Sequence, residues 1–129
     1  MASKGHDKIV EMIQYKMRLM GFKVVATDGC IDSKLPPTII SHRPDCIGLR
    51  ESDKSVCIGE AKYYGDLHAN RSKRQICDFA KLSDVKSNIY FILGLPKSEI
   101  SKLRKIIDMD YFRSLKRIII LEVPDNLCE

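Results

Sequence analysis

The spacing of hydrophobic residues predicts alternating helices and short strands along the chain. Isoleucine and methionine recur at helical spacing over residues 5–20, and Gly21 ends that helix. Short runs rich in β-branched residues predict strands instead. The predicted elements are a helix over 5–20, strands over 22–27, 45–50 and 55–62, a helix over 71–83, a strand over 88–95, a helix over 97–107 and a strand over 117–123. An extension of the last helix through Arg113 stays open.

This order of elements predicts the α/β fold class, with a mixed central sheet and helices on both faces. Residues 45–50 and 55–62 are expected to form a hairpin across the polar turn 51–54. The run 88–95 is almost continuously apolar, as in a strand that is covered on both faces. A length of 129 residues suits one compact domain, so we predict a single domain over 1–129.

The composition narrows the class of protein. Apolar residues make up 44% and charged residues 30%, which excludes intrinsic disorder and collagen-like structure. No apolar run approaches the about 20 residues that span a bilayer, and the first ten residues do not resemble a secretory signal. We therefore expect no membrane association and a cytoplasmic or nucleoid-associated location. The net charge of +5 favours a polyanionic partner without requiring one.

The five cysteines do not form a recognisable metal or disulfide pattern. Their number is odd, no C-x-x-C pair occurs, and the three histidines are not spaced with them as in a zinc site. We predict free, buried thiols in a reducing compartment. The cysteines are Cys30, Cys46, Cys57, Cys77 and Cys128.

Residues 43–64 carry the candidate chemistry. The predicted hairpin brings Asp45, at the start of one strand, beside Glu60 near the end of its neighbour. Strand alternation points Glu60 and Lys62 to one face and Ala61 to the other. Two adjacent carboxylates repel each other, and a divalent cation such as Mg²⁺ or Mn²⁺ relieves that cost. The Ala61 carbonyl could add a ligand, and the Lys62 ammonium could steady a phosphate or orient a water.

The motif resembles that of the PD-(D/E)XK nuclease superfamily, which has the restriction-endonuclease-like fold. Pro44-Asp45 is followed, after fourteen residues, by Glu60-x-Lys62. The superfamily's α-β-β-β-α-β core corresponds to residues 5–95, and the remaining helix and strand follow it. The resemblance implies a DNA phosphodiesterase that uses one or two Mg²⁺ or Mn²⁺ ions.

Two helical positions resemble motifs of RecB-like nucleases. Gly5-His6 looks like their first motif, in which a helix histidine also binds the metal, and His6 falls within the apolar arc of its helix. Glu11 is the rival ligand, because a glutamate on the first helix binds the metal in archaeal-type Holliday junction resolvases, but it falls almost opposite that arc. Residues 74–79 resemble the Q-x-x-x-Y motif, with Phe79 in place of the tyrosine. Gln75 is thus a candidate to hydrogen-bond the attacking water or a phosphate.

The residues that are candidates to contact nucleic acid follow the predicted strand over 55–62, which carries Glu60 and Lys62. Arg71, Lys73 and Arg74 open the helix that follows it, where the helix N-terminus also favours phosphate. Tyr63 and Tyr64 lie in the loop next to the catalytic lysine. They are expected either to stack on bases or to cap the core.

The short chain limits what selects the substrate. A length of 129 residues holds a catalytic core and little else, so substrate choice is expected to come from nucleic-acid shape, dimerisation or a protein partner. A structure-selective or non-specific endonuclease fits best. The alternatives are a Holliday junction resolvase acting as a homodimer, a RecB-like exonuclease, and a catalytically silent DNA-binding module.

Overall fold

The computed structural model describes residues 3–129, so the predicted domain over 1–129 extends two residues beyond the described part. Single turns of 3₁₀ helix lie between the main elements. Within residues 3–129, no helix combines the length and the apolar character needed to cross a membrane. The main elements are α1 (Lys4–Leu19), β1 (Lys23–Thr27), β2 (Cys46–Arg50), β3 (Ser55–Ala61), α2 (Asn70–Val85), β4 (Ile89–Pro96), α3 (Ile100–Leu103), α4 (Met109–Ser114) and β5 (Ile118–Val123).

One mixed five-stranded sheet organises the chain, with the strands in sequence order from β1 to β5. β1, β2 and β3 pair antiparallel, whereas β3, β4 and β5 run parallel to one another. Two separate hydrophobic clusters cover the sheet, one beneath α1 and the other beneath α2. The predicted α/β class, the order of the α-β-β-β-α-β core and the mixed sheet flanked by helices are confirmed.

The start of α1 is fixed by a side-chain cap. Ser3 accepts a hydrogen bond from the backbone N–H of His6 at 3.0 Å, which satisfies one of the free donors at the helix N-terminus. Ile9, Ile13 and Met17 recur at helical spacing after this turn, and their side chains are fully buried against the sheet. Burial of this stripe holds the first turn of α1, and with it His6, over one end of the sheet.

Gly94 on β4 allows α1 to pack closely on the middle of the sheet. A Cβ atom at this position would lie 2.8 Å from Ile13 Cδ1 and 2.9 Å from Ile9 Cγ2. We therefore expect Gly94→Ala to lower the free energy of unfolding by about 2 kcal/mol, measured by urea denaturation. Adding Ile13→Val, which removes the clashing Cδ1, should cost less on the Gly94→Ala background than on the wild type. Additive costs would contradict steric overpacking.

One continuous helix was predicted over residues 97–107, and this prediction is wrong, because the structure has several short helical segments there. The structure has a 3₁₀ turn over Lys97–Glu99, the single α-helical turn of α3, and a break before α4. Asp108 explains the break, because its side chain accepts a hydrogen bond from the Tyr111 N–H at 3.1 Å and so caps a new helix. The extension through Arg113 is therefore a separate short helix.

The cysteine prediction is correct for only part of the set. All five thiols are free, but Cys30 and Cys77 are exposed rather than buried. The prediction fails for Cys77 because this residue lies on the solvent side of α2. It fails for Cys30 because this residue lies in the surface turn after β1. Burial raises the pKa of the Cys57 thiol to about 12, which keeps it protonated and unreactive.

Candidate active site

The β2–β3 hairpin places two carboxylates side by side. Cys46 pairs with Gly59 in the register, so Asp45 lies opposite Glu60. The Asp45 N–H donates to Glu60 Oε1 at 3.2 Å, and the Ala61 N–H donates to Asp45 Oδ2 at 2.7 Å. Each carboxylate therefore accepts a hydrogen bond from a backbone N–H beside the other. These bonds fix Glu60 within β3 and Asp45 directly before the start of β2.

Lys62 and Gln75 complete the buried side of the site. Lys62 Nζ lies 3.0 Å from Glu60 Oε2 and donates a short hydrogen bond to Gln75 Oε1 of α2. The side chains of Lys62 and Glu60 are only 8% and 6% exposed. The Lys62 N–H also donates to the Gly94 carbonyl at 2.9 Å. The group thus lies at the carboxyl ends of the parallel strands β3 and β4, where sheets of this kind bind ligands.

His6 approaches the acids from the opposite face, on α1. Its Nε2 lies 3.4 Å from Asp45 Oδ2, and its buried Nδ1 has no hydrogen-bond partner within residues 3–129, although it lies 3.7 Å from Asp7 Oδ1. Hydrogen bonding to Asp45 raises the pKa of His6 to about 9, against the opposing effect of burial. The imidazole is therefore positively charged at neutral pH and partly neutralises the pair of acids.

Ionisation of Glu60 is costly in these surroundings. Burial, followed by the charge of Asp45, raises the pKa of Glu60 to about 8, although the Lys62 ammonium acts in the opposite direction. A buried acid with so perturbed a pKa, next to another acid and a lysine, is typical of a functional site. A bound cation would lower the free energy of the ionised form.

An open cleft gives solvent access to this group. Its volume is about 650 Å³, and it lies between the first half of α1 and the turn after β1. Of the five site residues His6, Asp45, Glu60, Lys62 and Gln75, the first two line the cleft and the other three are buried. The complete lining is His6, Asp7, Val10, Glu11, Gln14, Thr27, Asp28, Gly29, Cys30 and Asp45.

Four polar residues of this cleft, Asp7, Gln14, Thr27 and Asp28, were not among the predicted site residues, and two of them contact each other. Gln14 Nε2 donates to Thr27 Oγ1 at 3.0 Å and links α1 to the end of β1. Gln14 lies eight residues after His6, which places it on the same flank of the helix. That spacing is the sequence signal that could have identified it. Thr27 has no such local signal, because only the packing of α1 on β1 brings it to the cleft.

The structure brings His6, rather than Glu11, into contact with Asp45. Glu11 lines the same cleft, but its side chain is 67% exposed and pairs with Lys8 at 3.4 Å. The apolar arc that the sequence predicted for this helix, with His6 inside it and Glu11 almost opposite, therefore corresponds to the buried face of α1.

Tyr63 and Tyr64 connect the loop after β3 to the C-terminal segment. The Tyr63 hydroxyl donates to the Cys128 carbonyl at 2.8 Å, and its ring lies where a side chain on Gly5 would be. The Tyr64 hydroxyl donates to Asp125 Oδ2 at 2.7 Å. Both hydroxyls thus have partners in the folded chain, but only Tyr63 packs against the hydrophobic cluster beneath α1, whereas Tyr64 is exposed.

The three basic residues of α2 that the sequence predicted to contact nucleic acid lie on its first two turns. Arg71 and Arg74 are exposed, and Lys73 is half-buried. The same helix supplies Gln75 to the buried side of the site. The N-terminal end of α2 therefore presents positive charge next to the carboxyl ends of β3 and β4.

His42 is a supporting residue that the sequence did not reveal. Its Nε2 lies 2.7 Å from Asp78 Oδ2 of α2, and its ring packs edge-on against Phe79. These contacts tie the segment just before Pro44-Asp45 to α2. Its position explains how an irregular loop leads to a well-placed Asp45.

The donor set suits a hard divalent cation. Within residues 3–129, no three His, Cys, Asp or Glu side chains already converge as a metal-binding cluster. The site instead offers two adjacent carboxylates and a backbone carbonyl. Mg²⁺ is usually bound by one or two carboxylates, with waters and substrate phosphate supplying the other ligands. Asp45, Glu60 and the Ala61 carbonyl therefore fit Mg²⁺ or Mn²⁺ better than they fit zinc.

Comparison with known proteins gives little beyond the geometry. No protein-family model matches the chain, and no curated protein matches it. The structure is similar to the crystal structure of a repair endonuclease from Pyrococcus abyssi, with 13% identity and a TM-score of 0.46 over 96% of this chain. This chain spans about half of that protein, 49% of its length. At this level the likeness says nothing about the chemistry of the present site.

Proposed function

We propose that this protein is a Mg²⁺- or Mn²⁺-dependent nuclease that hydrolyses phosphodiester bonds of DNA. One observation carries the proposal: Asp45 and Glu60 lie side by side at the carboxyl ends of parallel strands, with Lys62 buried against Glu60. A buried ion pair is a weak source of stability, because desolvation offsets its attraction. A second acid beside that pair raises the cost further, and a cation-binding role explains why it is there.

Asp45, Glu60 and the Ala61 carbonyl would hold the metal, with His6 as a further candidate on the α1 side. When bound, such an ion supplies an activated water and stabilises charge on the leaving oxygen. His6 holds a proton within 3.4 Å of Asp45, so it would either donate that proton or move aside as the site fills.

Lys62 and Gln75 provide the second part of the chemistry. The Lys62 ammonium is fixed between Glu60 and Gln75 and does not line the cleft, so it would act on a phosphate bound at the acids as an already oriented positive charge beside Glu60. Preorganised charges in a site that excludes water stabilise developing negative charge more strongly than solvent does. Gln75 acts as a positioning residue, because it contacts the ammonium.

The charge distribution supports DNA as the substrate class. Asp45 lines the cleft and Glu60 is buried beside it, whereas Arg71, Lys73 and Arg74 lie on the first turns of α2. A phosphate backbone lying over α2 would gain counterion release from those residues. Its scissile phosphate would reach the acids only with a divalent cation between them. We propose an endonuclease that selects DNA structure or has little sequence preference.

Cleavage of covalently closed plasmid DNA tests this function, because a closed circle offers no end to an exonuclease. We expect nicked circles with Mg²⁺ or Mn²⁺ and none with EDTA. Parallel reactions with linear duplex, single-stranded DNA, RNA and a four-way junction would define the substrate. If DNA is retarded in a gel but no substrate is cut with either metal, the protein is instead a DNA-binding module.

A further inference from the structure

The two edges of the sheet differ in their protection against pairing with another strand. β1, at one edge, has a register shift between Val24 and Ala26. Lys34 bridges to Ala26, and its carbonyl accepts a hydrogen bond from the Thr27 N–H at 3.0 Å. Bulges and covering segments of this kind block edge-to-edge association. β5, at the other edge, pairs with β4 without any register shift along its whole length.

The outer side of β5 presents free backbone groups. The Phe91 N–H donates to the Arg117 carbonyl at 2.8 Å, so the odd-numbered residues of β5 form the parallel ladder with β4. Ile118, Ile120 and Glu122 therefore direct their backbone groups away from the sheet. The Ile118 N–H donates to the Leu115 carbonyl at 3.4 Å, whereas the backbone of Ile120 and Glu122 makes no hydrogen bond within residues 3–129 apart from that ladder.

The side chains of β5 make this edge apolar as well as open. The strand reads IIILEV, and three consecutive residues, Ile119, Ile120 and Leu121, are only half-buried. Ile119 and Leu121 pack against the cluster beneath α1, together with half-buried Met12. Ile120 packs against the cluster on the opposite face. A continuous, β-branched edge with one acidic residue is a template for another strand.

We propose that β5 is the dimer interface of this protein, pairing antiparallel with β5 of a second copy about a twofold axis at Ile120. This register places Ile118 of one copy opposite Glu122 of the other, so all three outward-facing residues are paired. About four backbone hydrogen bonds would form, two between the Ile120 residues and one in each Ile118–Glu122 pair, because the Ile118 N–H already donates to the Leu115 carbonyl. The result is one continuous sheet across both copies.

The strand is complementary to itself in this register. The two Glu122 side chains lie four residues apart along the paired strands, which is about 13 Å. That separation exceeds the Debye length of about 8 Å at physiological salt, so their repulsion is largely screened. Each Glu122 also keeps its own partner, Arg113, at 3.1 Å. The proposal goes beyond the proposed function, since nothing in it depends on cleavage chemistry.

Light scattering after size exclusion, over about 1–200 μM protein, tests the proposal through the molar mass. We expect twice the chain mass of 14.7 kDa for the wild type. Ile120→Pro removes the outward N–H at the axis, a change that edge strands tolerate, and should give a monomer with an unchanged circular dichroism spectrum. Ile120→Val keeps the N–H and should remain dimeric. A wild-type monomer throughout this range would overturn the proposal.

Disulfide trapping tests the register and covers the case in which Ile120→Pro does not fold. Facing residues in a hydrogen-bonded antiparallel pair are about 5.5 Å apart at Cα, within the range that a disulfide spans. With Cys30 and Cys77 changed to serine, mild oxidation of Ile120→Cys should give a covalent dimer. Lys23→Cys, on the protected β1 edge, should not. A dimer that resists trapping at Ile120 uses another surface and contradicts the proposal.

Discussion

Asp45→Asn is expected to lower the rate of DNA cleavage by about a thousandfold while leaving the fold intact. Asparagine still has an oxygen that can accept the Ala61 N–H, so the hydrogen bond of 2.7 Å between the hairpin strands has a replacement. It lacks the charge that a divalent cation requires. A metal contributes several kcal/mol to the transition state, and about 1.4 kcal/mol corresponds to a factor of ten in rate.

The measurement is single-turnover nicking of closed plasmid DNA at saturating Mg²⁺, with thermal unfolding to verify the fold. Glu11→Gln is the matched control, because Glu11 lines the same cleft but pairs only with Lys8. We expect its rate to stay within about threefold of the wild type, since surface charges far from reacting atoms change rates little. A large loss in Glu11→Gln with normal activity in Asp45→Asn would assign the metal to Glu11 instead.

Lys62→Met is expected to damage both stability and activity. Glu60 is 6% exposed, and above its pKa of about 8, where it is ionised, removal of the ammonium at 3.0 Å leaves its carboxylate buried without a countercharge. Breaking such a pair costs about 3 kcal/mol or more. Cleavage should fall by at least about a hundredfold, because a preorganised positive charge is lost next to the phosphate. Urea denaturation and single-turnover nicking measure the two effects.

A double variant separates the two roles of Lys62. Combining Lys62→Met with Glu60→Gln removes both charges, so we expect most of the lost stability to return while cleavage stays absent. Lys54→Met is the control, since the Lys54–Glu51 pair has a similar separation of 2.7 Å but both side chains are about 80% exposed. It should leave the urea midpoint unchanged. If Lys62→Met shifts the midpoint no more than Lys54→Met does, the buried pair has no energetic importance.

The local part of the site was predictable because strand geometry is local. The two-residue period of a strand and the polar turn 51–54 together set which residues of the hairpin face each other. Asp45 therefore lies opposite Glu60, and Lys62 contacts Glu60 at 3.0 Å, with no reference to the rest of the fold. The α/β class and the order of elements follow from the same periodicities.

Contacts between distant elements were less accessible to sequence analysis. Gln75 was selected by motif resemblance, but its hydrogen bond to Lys62 depends on how α2 packs on β4. The break before α4 was missed because apolar residues continue through it, while Asp108 supplies a cap whose effect is decided in three dimensions. The partners of Tyr63 and Tyr64 lie more than 60 residues further along the chain.

The sequence by itself determined the elements, the mixed sheet and the pairing of two acids on one hairpin. These depend on hydrophobic period and turn chemistry, which act over a few residues. Only the tertiary structure decided that His6 of α1 contacts Asp45 and that a cleft opens on that side of the acids. It also decided that β5 is the unprotected edge of the sheet. Helix packing and strand order bring together residues that are far apart in the chain. A pattern that extends over a few residues does not predict such contacts.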